Sequence, residues 1–355
     1  MSNLMKGLQL IGYGSPKQSL NYRENILKPK IKSPHDVLVR VMYAGVNPIE
    51  AKFAAGNMRM VSSMLTSLPC IIGADFSGVI EQVGDQVTEF NVGDEVYGSL
   101  QLAFSLDGTY AEYTVVNTKK ASIAKKPSHL SFEEAAAAGI AVLTAYQGIV
   151  LSSKADNTRK RNILIVGASG GVGSFGVQIA KAIYPENYVV GICSKKNTEL
   201  VHGLGADKVI NYDNPDEYNS FINNAKGTFD IVFDCVGGDE YYKQLDPLLN
   251  KAGIYTTAVG PVQHIGSDYV GVIAGSKIAA NIAYKKIFGA HAYNMIVTIP
   301  HNDFRSKIAP LFESKAIHSK VPEGNIIPLK EGYRAHEQLA SHRTVGKLVL
   351  KVSDT

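Results

Sequence analysis

Apolar and polar positions divide the chain into two regimes. Up to about residue 138, apolar residues come in short runs cut by Gly, Asp and Pro. Residues 37–44 form one such run, which ends at Gly45, and 78–84, 93–98 and 110–116 repeat the pattern. Short strands bounded by turn residues predict a compact, barrel-like β unit. From about residue 145 strand-like and helix-like periods alternate. The expected strands are 163–166, 189–193, 208–210, 229–234 and 253–260, with helices over 173–184 and 197–204. Such alternation predicts a parallel sheet with helices on both faces. Ser131 stands three residues before Glu134, a capping box ahead of an alanine run. The helix it starts is expected to continue past Gly139 to Tyr146. The closing stretch 346–352 again reads as a strand, expected to return to the first unit.

The second regime is organised around residues 163–181. A buried strand pattern is followed by Gly167, Gly170 and Gly173, and then by an apolar helical stripe. The first glycine permits a tight turn, Gly170 and Gly171 admit a pyrophosphate close to the backbone, and Gly173 lets helix and strand pack closely. A helix N-terminus then offers unpaired N–H donors to that anion. Ligands of such sheets bind at the carboxyl ends of the strands, which gathers Gly170, Ser194, Val236 and Val259 on one rim. At the end of the second strand, where an NAD-binding fold carries an acid, this chain has Ser194, Lys195, Lys196 and Asn197. A hydroxyl and two ammonium groups suit a 2′-phosphate, which makes NADPH the expected cofactor; the competing reading is a solvated charged loop.

Composition narrows the class. With 355 residues, 45% apolar and 19% charged, the chain reads as a globular protein of two domains. A net charge of +4, with scattered Lys and Arg, argues against a nucleic-acid partner. Cys70, Cys193 and Cys235 form neither a disulfide framework nor a metal motif, so a reducing compartment, the cytoplasm, is expected. No signal or transit peptide is read at residues 1–10. The apolar stretch 269–288 carries Lys277, Asn281, Lys285 and Lys286, too many polar groups for a membrane span.

Further stretches resemble the medium-chain dehydrogenase/reductase superfamily, and within it the zinc-free quinone oxidoreductase-like branch. They are residues 44–50, 73–80, 92–98, 108–113, 143–146 and 346–349, in the family's order over nearly the whole chain. The resemblance implies an α/β protein: a GroES-like β-rich catalytic domain beside a Rossmann doubly wound parallel sheet. The expected boundaries are 1–138 for the catalytic domain, 139–300 for the NADPH-binding domain, and 301–355 for a segment returning to the first. The expected cofactor set is Thr144, Ser169, Gly170, Gly171, Val172, Ser194, Lys195, Lys196, Tyr212, Val236, Gly237, Val259, Gly260 and Lys347, with Tyr212 placed beside the adenosine phosphate. The family's homodimer pairs the edge strands of two Rossmann sheets, and 294–299 is the expected edge strand.

Zinc-dependent members carry a Cys where this chain has Asn47 and His-Glu where it has Ala74 and Asp75. A catalytic zinc needs three protein ligands, so no metal is expected. Without one, hydrogen-bond donors must stabilise the anion left on an acceptor after hydride addition. The resemblance makes Asn47 the catalytic candidate; the alternative is a turn residue before Pro48. Phe53, Tyr97 and Tyr146 are weighed as pocket or core. Enoyl-thioester reductases of the superfamily use a tyrosine near Phe53, and its absence argues against that activity. Acceptor preference is expected in residues 261–292. The expected activity is zinc-independent, NADPH-dependent reduction of a quinone or an α,β-unsaturated carbonyl. The alternative is an NADPH-binding regulatory or interaction protein on the same fold with little turnover.

Overall fold

The computed structural model describes residues 3–57, 59, 67–101, 107–261, 272–299 and 303–354. The first part is all β with short helices. Strands β1 (Leu4–Leu10), β2 (Leu20–Leu27) and β4 (Cys70–Ile71) make a small sheet in the order β2-β1-β4. A second sheet takes β3 (Asp36–Val46), β5 (Asp75–Val83), β6 (Glu95–Ser99), β7 (Tyr113–Asn117) and β8 (Ser122–Lys125). Two strands from the end of the chain, β15 (Ile326–Pro328) and β16 (Leu348–Lys351), complete it in the order β15-β16-β3-β5-β6-β8, with β7 also on β3. Leu348 stands opposite Val46 and Lys351 opposite Tyr43, antiparallel. The closing strand therefore does return to the first unit. One apolar core lies under these strands, from Met5 and Leu8 through Phe76 to Leu350.

The middle of the chain forms a six-stranded, all-parallel sheet. Its strands are β9 (Asn162–Val166), β10 (Tyr188–Cys193), β11 (Lys208–Asn211), β12 (Phe229–Asp234), β13 (Leu249–Thr257) and β14 (Ala292–Met295), ordered β11-β10-β9-β12-β13-β14. The chain steps outward from β9 to β11, then crosses back to β12 on the other side. The strand order reverses between β9 and β12, the position at which such sheets open a ligand crevice. Ile163, Leu164, Ile165 and Val166 are buried on both faces, as a central parallel strand requires. Separate apolar clusters cover the two faces of the sheet.

Two expectations change in detail. The helix after Ser131 is two helices, Phe132–Ala136 and Ile140–Tyr146. The break falls at Gly139, where a Cβ would lie 2.1 Å from a carboxylate oxygen of Asp75. The backbone N–H of Ile140 donates to that oxygen at 2.8 Å, so the carboxylate caps the second helix. The Ser131–Glu134 capping box is present in both directions, at 3.3 and 3.0 Å. The edge strand is Ala292–Met295 and stops before residues 297–299, because only 292–295 find partners on β13.

Candidate active site

The turn after β9 is built by its glycines. Gly167 has φ +73, a left-handed conformation that favours glycine. At Gly173 an added Cβ would meet the Gly167 carbonyl oxygen at 2.2 Å, which fixes how closely the helix Gly171–Ile183 approaches the strand. Gly170 differs: a Cβ there would meet only the Gly167 oxygen, at 3.4 Å. Gly170, the residue before the helix, faces open space. The end of the chain comes to this loop. The N–H of Gly346 donates to the Ser169 carbonyl at 2.9 Å, and Gly170 pairs with Gly346 in an isolated parallel bridge.

Two adjoining cavities open along the rim. One is lined by Ser169, Ser194, Lys195, Lys196 and Tyr212 together with Asp213, His342, Arg343 and Thr344. Asn197 donates to the hydroxyls of Ser169 and Ser194, both at 3.0 Å, and ties the glycine loop to the end of β10. The backbone N–H of Lys195 donates to Asp213 at 2.8 Å, holding that carboxylate against the loop. Lys195, Lys196 and Arg343 are exposed. Among the described residues no ion pair or hydrogen bond engages the side-chain cations of Lys195 and Lys196. Three cations and two ordered hydroxyls converge here, a donor set that fits a phosphate monoester. His342, Arg343 and Thr344 were missed by the sequence reading. They lie some 150 residues from β10, and their signal is adjacency to the Gly346–Lys347 pair.

The other cavity runs between the two units. It is lined by Val46, Asn47, Pro48 and Lys52 on one side and by Gly167, Gly170, Gly171, Val172, Cys235, Val236 and Val259 on the other, with Gly346 and Lys347 joining them. The loop after β12 is pinned by Asp234, which accepts from the N–H groups of Val236 and Gly237 at 2.8 and 2.9 Å and from the Tyr255 hydroxyl at 2.9 Å. Gly237 and Gly260 stand behind the lining and shape it: a Cβ on Gly237 would strike Val259 at 2.6 Å. Thr144 is not brought to either cavity. Its hydroxyl donates to Ile140 and pairs with Thr298, and the residue is 5% exposed. Phe53 and Tyr97 are core residues with no exposure, and Tyr146 is buried. Of the segment 261–292 expected to set acceptor preference, 262–271 lie outside the described residues.

Asn47 requires a correction. It is the cap of the helix Pro48–Ala54 and is 2% exposed. Its amide nitrogen donates to Glu50 at 3.2 Å and to Asp75 at 2.9 Å, while its backbone N–H donates to Glu50 at 2.9 Å. Its amide oxygen accepts from the Lys347 ammonium, which also donates to the Val46 carbonyl at 3.0 Å and lies 3.6 Å from Asp75. Both amide protons are thus committed to carboxylates, leaving none for an oxyanion. Lys347, expected on the cofactor, turns its ammonium into this same buried cluster and presents its stem to Gly171. Glu50 has no exposure; burial first, then the nearby Asp75 carboxylate, push its carboxyl up to about 8, against the pull of Lys347.

Lys52 follows Asn47 by five residues on the same helix. It is half-buried in the cleft, and burial lowers its ammonium pKa below the ordinary value. Among the described residues its ammonium has no ion-pair or hydrogen-bond partner, while its backbone carbonyl accepts from the Asn57 N–H at 3.0 Å. The sequence signal for it, a lone lysine on a helix between Ala51 and Phe53, is weak.

A metal does not fit this donor set. Asn47 and Ala74 supply no anionic or imidazole ligand, Asp75 is spent on Asn47 and Ile140, and no group of three or more His, Cys, Asp or Glu side chains able to hold a metal ion occurs among the described residues. A dinucleotide does fit: the open face of Gly170, the free end of the helix and the cationic pocket lie along one rim.

Residues 33–128 match the family profile of the alcohol dehydrogenase GroES-like domain, and residues 204–350 match that of zinc-binding dehydrogenases. The human mitochondrial NAD(P)H oxidoreductase RTN4IP1 is 32% identical over 349 residues, 91% of this chain and 85% of that protein. A 2-methylene-furan-3-one reductase of Solanum lycopersicum is 36% identical over 262 residues, 72% of this chain; the alignment spans 63% of that protein's length. Among solved structures, a quinone oxidoreductase from Coxiella burnetii superimposes with a TM-score of 0.79 at 26% identity, covering 99% of this chain and 100% of that one.

Proposed function

Because the chain belongs to the medium-chain dehydrogenase/reductase superfamily, in its quinone oxidoreductase-like branch, and is an NAD(P)H-dependent oxidoreductase of that kind, we propose that it is a zinc-independent reductase that uses NADPH to reduce α,β-unsaturated carbonyls or quinones. The observation that carries this reading is the pairing of the two cavities: a cationic pocket for a 2′-phosphate continuous with a cleft that holds a cation and no metal donor set. Bound there, the reduced nicotinamide supplies the hydride. The protein's own part is to hold the dinucleotide by the loop 167–173 and by Ser194, Lys195, Lys196 and Arg343, and to place an acceptor in the cleft. The tomato relative's name describes an enone reductase and the Coxiella structure's a quinone reductase, which supports both acceptor classes. The free thiols Cys193 and Cys235 support a reducing compartment, the cytoplasm in this reading.

Steady-state oxidation of NADPH and NADH over a panel of quinones, enones and aldehydes tests the proposal. Two charge-assisted contacts to a 2′-phosphate add about 3 kcal/mol, or roughly a hundredfold preference for NADPH. Equal affinity for the two dinucleotides by calorimetry would remove the phosphate assignment. Binding without turnover on any acceptor would favour a regulatory protein on this fold. Stoichiometric zinc lost together with activity on chelation would overturn zinc independence.

A further inference from the structure

The end of β10 carries Ser194, Lys195 and Lys196 and no acid, yet the fold brings it a carboxylate from the neighbouring strand. β11 runs parallel beside β10, with Cys193 opposite Asn211, and the Tyr212 N–H donates to the Cys193 carbonyl at 3.2 Å. Two residues past Asn211, the Asp213 carboxylate accepts from the Lys195 N–H at 2.8 Å, and the Asp213 N–H donates to the Asn211 side chain at 2.9 Å. The turn therefore fixes both the backbone and the carboxylate of Asp213. The thiol at the end of β10 reports the same placement: burial first, then the Asp213 carboxylate, push Cys193 up to about 11. Asp213 lines the cationic pocket with Lys195, Lys196 and Arg343, and all four side chains are exposed. Among the described residues no ion pair joins the acid to any of these cations.

A pocket of this composition suits two ligands. The cations pair with a phosphate monoester, while the carboxylate accepts from a hydroxyl and repels a phosphate. Resting on the reductase reading above, we propose that Asp213 is a specificity-determining residue: it admits NADH by accepting a hydrogen bond from the adenosine ribose, and it lowers the preference for NADPH that the three cations create. An NAD-binding fold carries its acid at the end of the second strand itself. Here that strand end is served from the next strand, so acid and cations share one pocket where a single position would have to choose between them. Asparagine at this position would still accept from the Lys195 N–H through its amide oxygen. The charge can therefore be removed without releasing the loop.

The experiment measures NADPH and NADH dissociation constants by calorimetry for wild type, Asp213→Asn, Asp213→Ala and Glu199→Gln, each checked by a melting curve. Glu199 is the other acid lining this pocket and serves as the control for a general change of charge. In Asp213→Asn, NADH should bind about tenfold more weakly, because an ionic acceptor is lost. NADPH should bind about threefold more tightly, because a solvent-screened repulsion is removed. In about 1 M salt, where charges are screened beyond about 3 Å, the NADPH gain should shrink and the NADH loss persist. Asp213→Ala should lose at least as much NADH affinity, and Glu199→Gln should keep the wild-type value. A ratio of the two affinities unchanged in Asp213→Asn, or moved equally by Glu199→Gln, would overturn the proposal and leave the reductase reading in place. Oxidation of both dinucleotides is then followed with 9,10-phenanthrenequinone and with 3-penten-2-one. No turnover on either acceptor, with a ratio still dependent on Asp213, would instead overturn the reductase reading and support Asp213 as the selector of a dinucleotide-binding protein.

Discussion

Glu50 illustrates how one residue carries information about the site. Its carboxyl is fully buried, and Asn47, Asp75 and Lys347 act on it most directly. In the unfolded chain it titrates near its ordinary 4.5, and in the folded protein near 8. Between those values the unfolded state has lost a proton that the folded state keeps, so stability falls as pH rises. The contribution is fully present below about 4.5 and lost by about 8. Denaturant midpoints measured across that window should decline for the wild type, while Glu50→Gln should remove the decline. A parallel pH dependence in the two proteins would show that Glu50 ionises normally. Such commitments were not legible in the sequence. The motif around Asn47 marks its position, but the partners that exhaust its hydrogen bonds come from residues 75 and 347. The same distance hid Arg343, whereas Ser194 and Lys195 were readable because strand and loop are contiguous.

Among the elements, the glycine loop and its helix show the sharpest division of labour. Gly170 opens on the cleft and Gly173 on its own strand, so equal substitutions have opposite consequences. Gly170→Asp should fold with a melting curve close to wild type, since its Cβ meets nothing nearer than 3.4 Å. It should lose NADPH binding, because a carboxylate would occupy the anion's place at a helix N-terminus. Gly173→Ala should instead lower stability, by about 1–3 kcal/mol, through overpacking against the Gly167 carbonyl. Calorimetric binding and thermal melts on both variants give the comparison; retained NADPH affinity in Gly170→Asp would mean the loop does not hold the dinucleotide. Strand β12 matches its sequence expectation at both ends, and β9 and β10 each begin one residue earlier. These are parallel strands buried over most of their length, for which an apolar run is a clear signal. The helix after Ser131 was misread because Gly139 breaks it for the sake of Asp75, a residue of the other unit.

At the scale of the whole molecule, β14 ends the parallel sheet, and its outer side has no partner among the described residues. Beside it the helix Val272–Phe288 exposes Tyr284, Ile287 and Phe288 at 64%, 70% and 70%, and Val297 is 72% exposed. An open strand edge flanked by apolar side chains is unfavourable in water, which supports our proposal of a homodimer paired through β14. Ile287→Asp with Val297→Asp should give a particle of half the wild-type mass by sedimentation, with the melting curve of each subunit little changed; equal masses would place the contact elsewhere or remove it. The fold class followed from the alternation of strand and helix, because that pattern is local. The pairing of β16 with β3 is the opposite case, with Lys347 meeting Asn47 across 300 residues. On the ribosome this has a direct effect. Residues 43–46 emerge some 300 residues before their strand neighbour on one side. Until that neighbour follows, the nascent chain carries an unfinished sheet edge and a glycine loop without Gly346, so nucleotide has no complete site to bind. The interval between the two strands is when this protein depends most on chaperones.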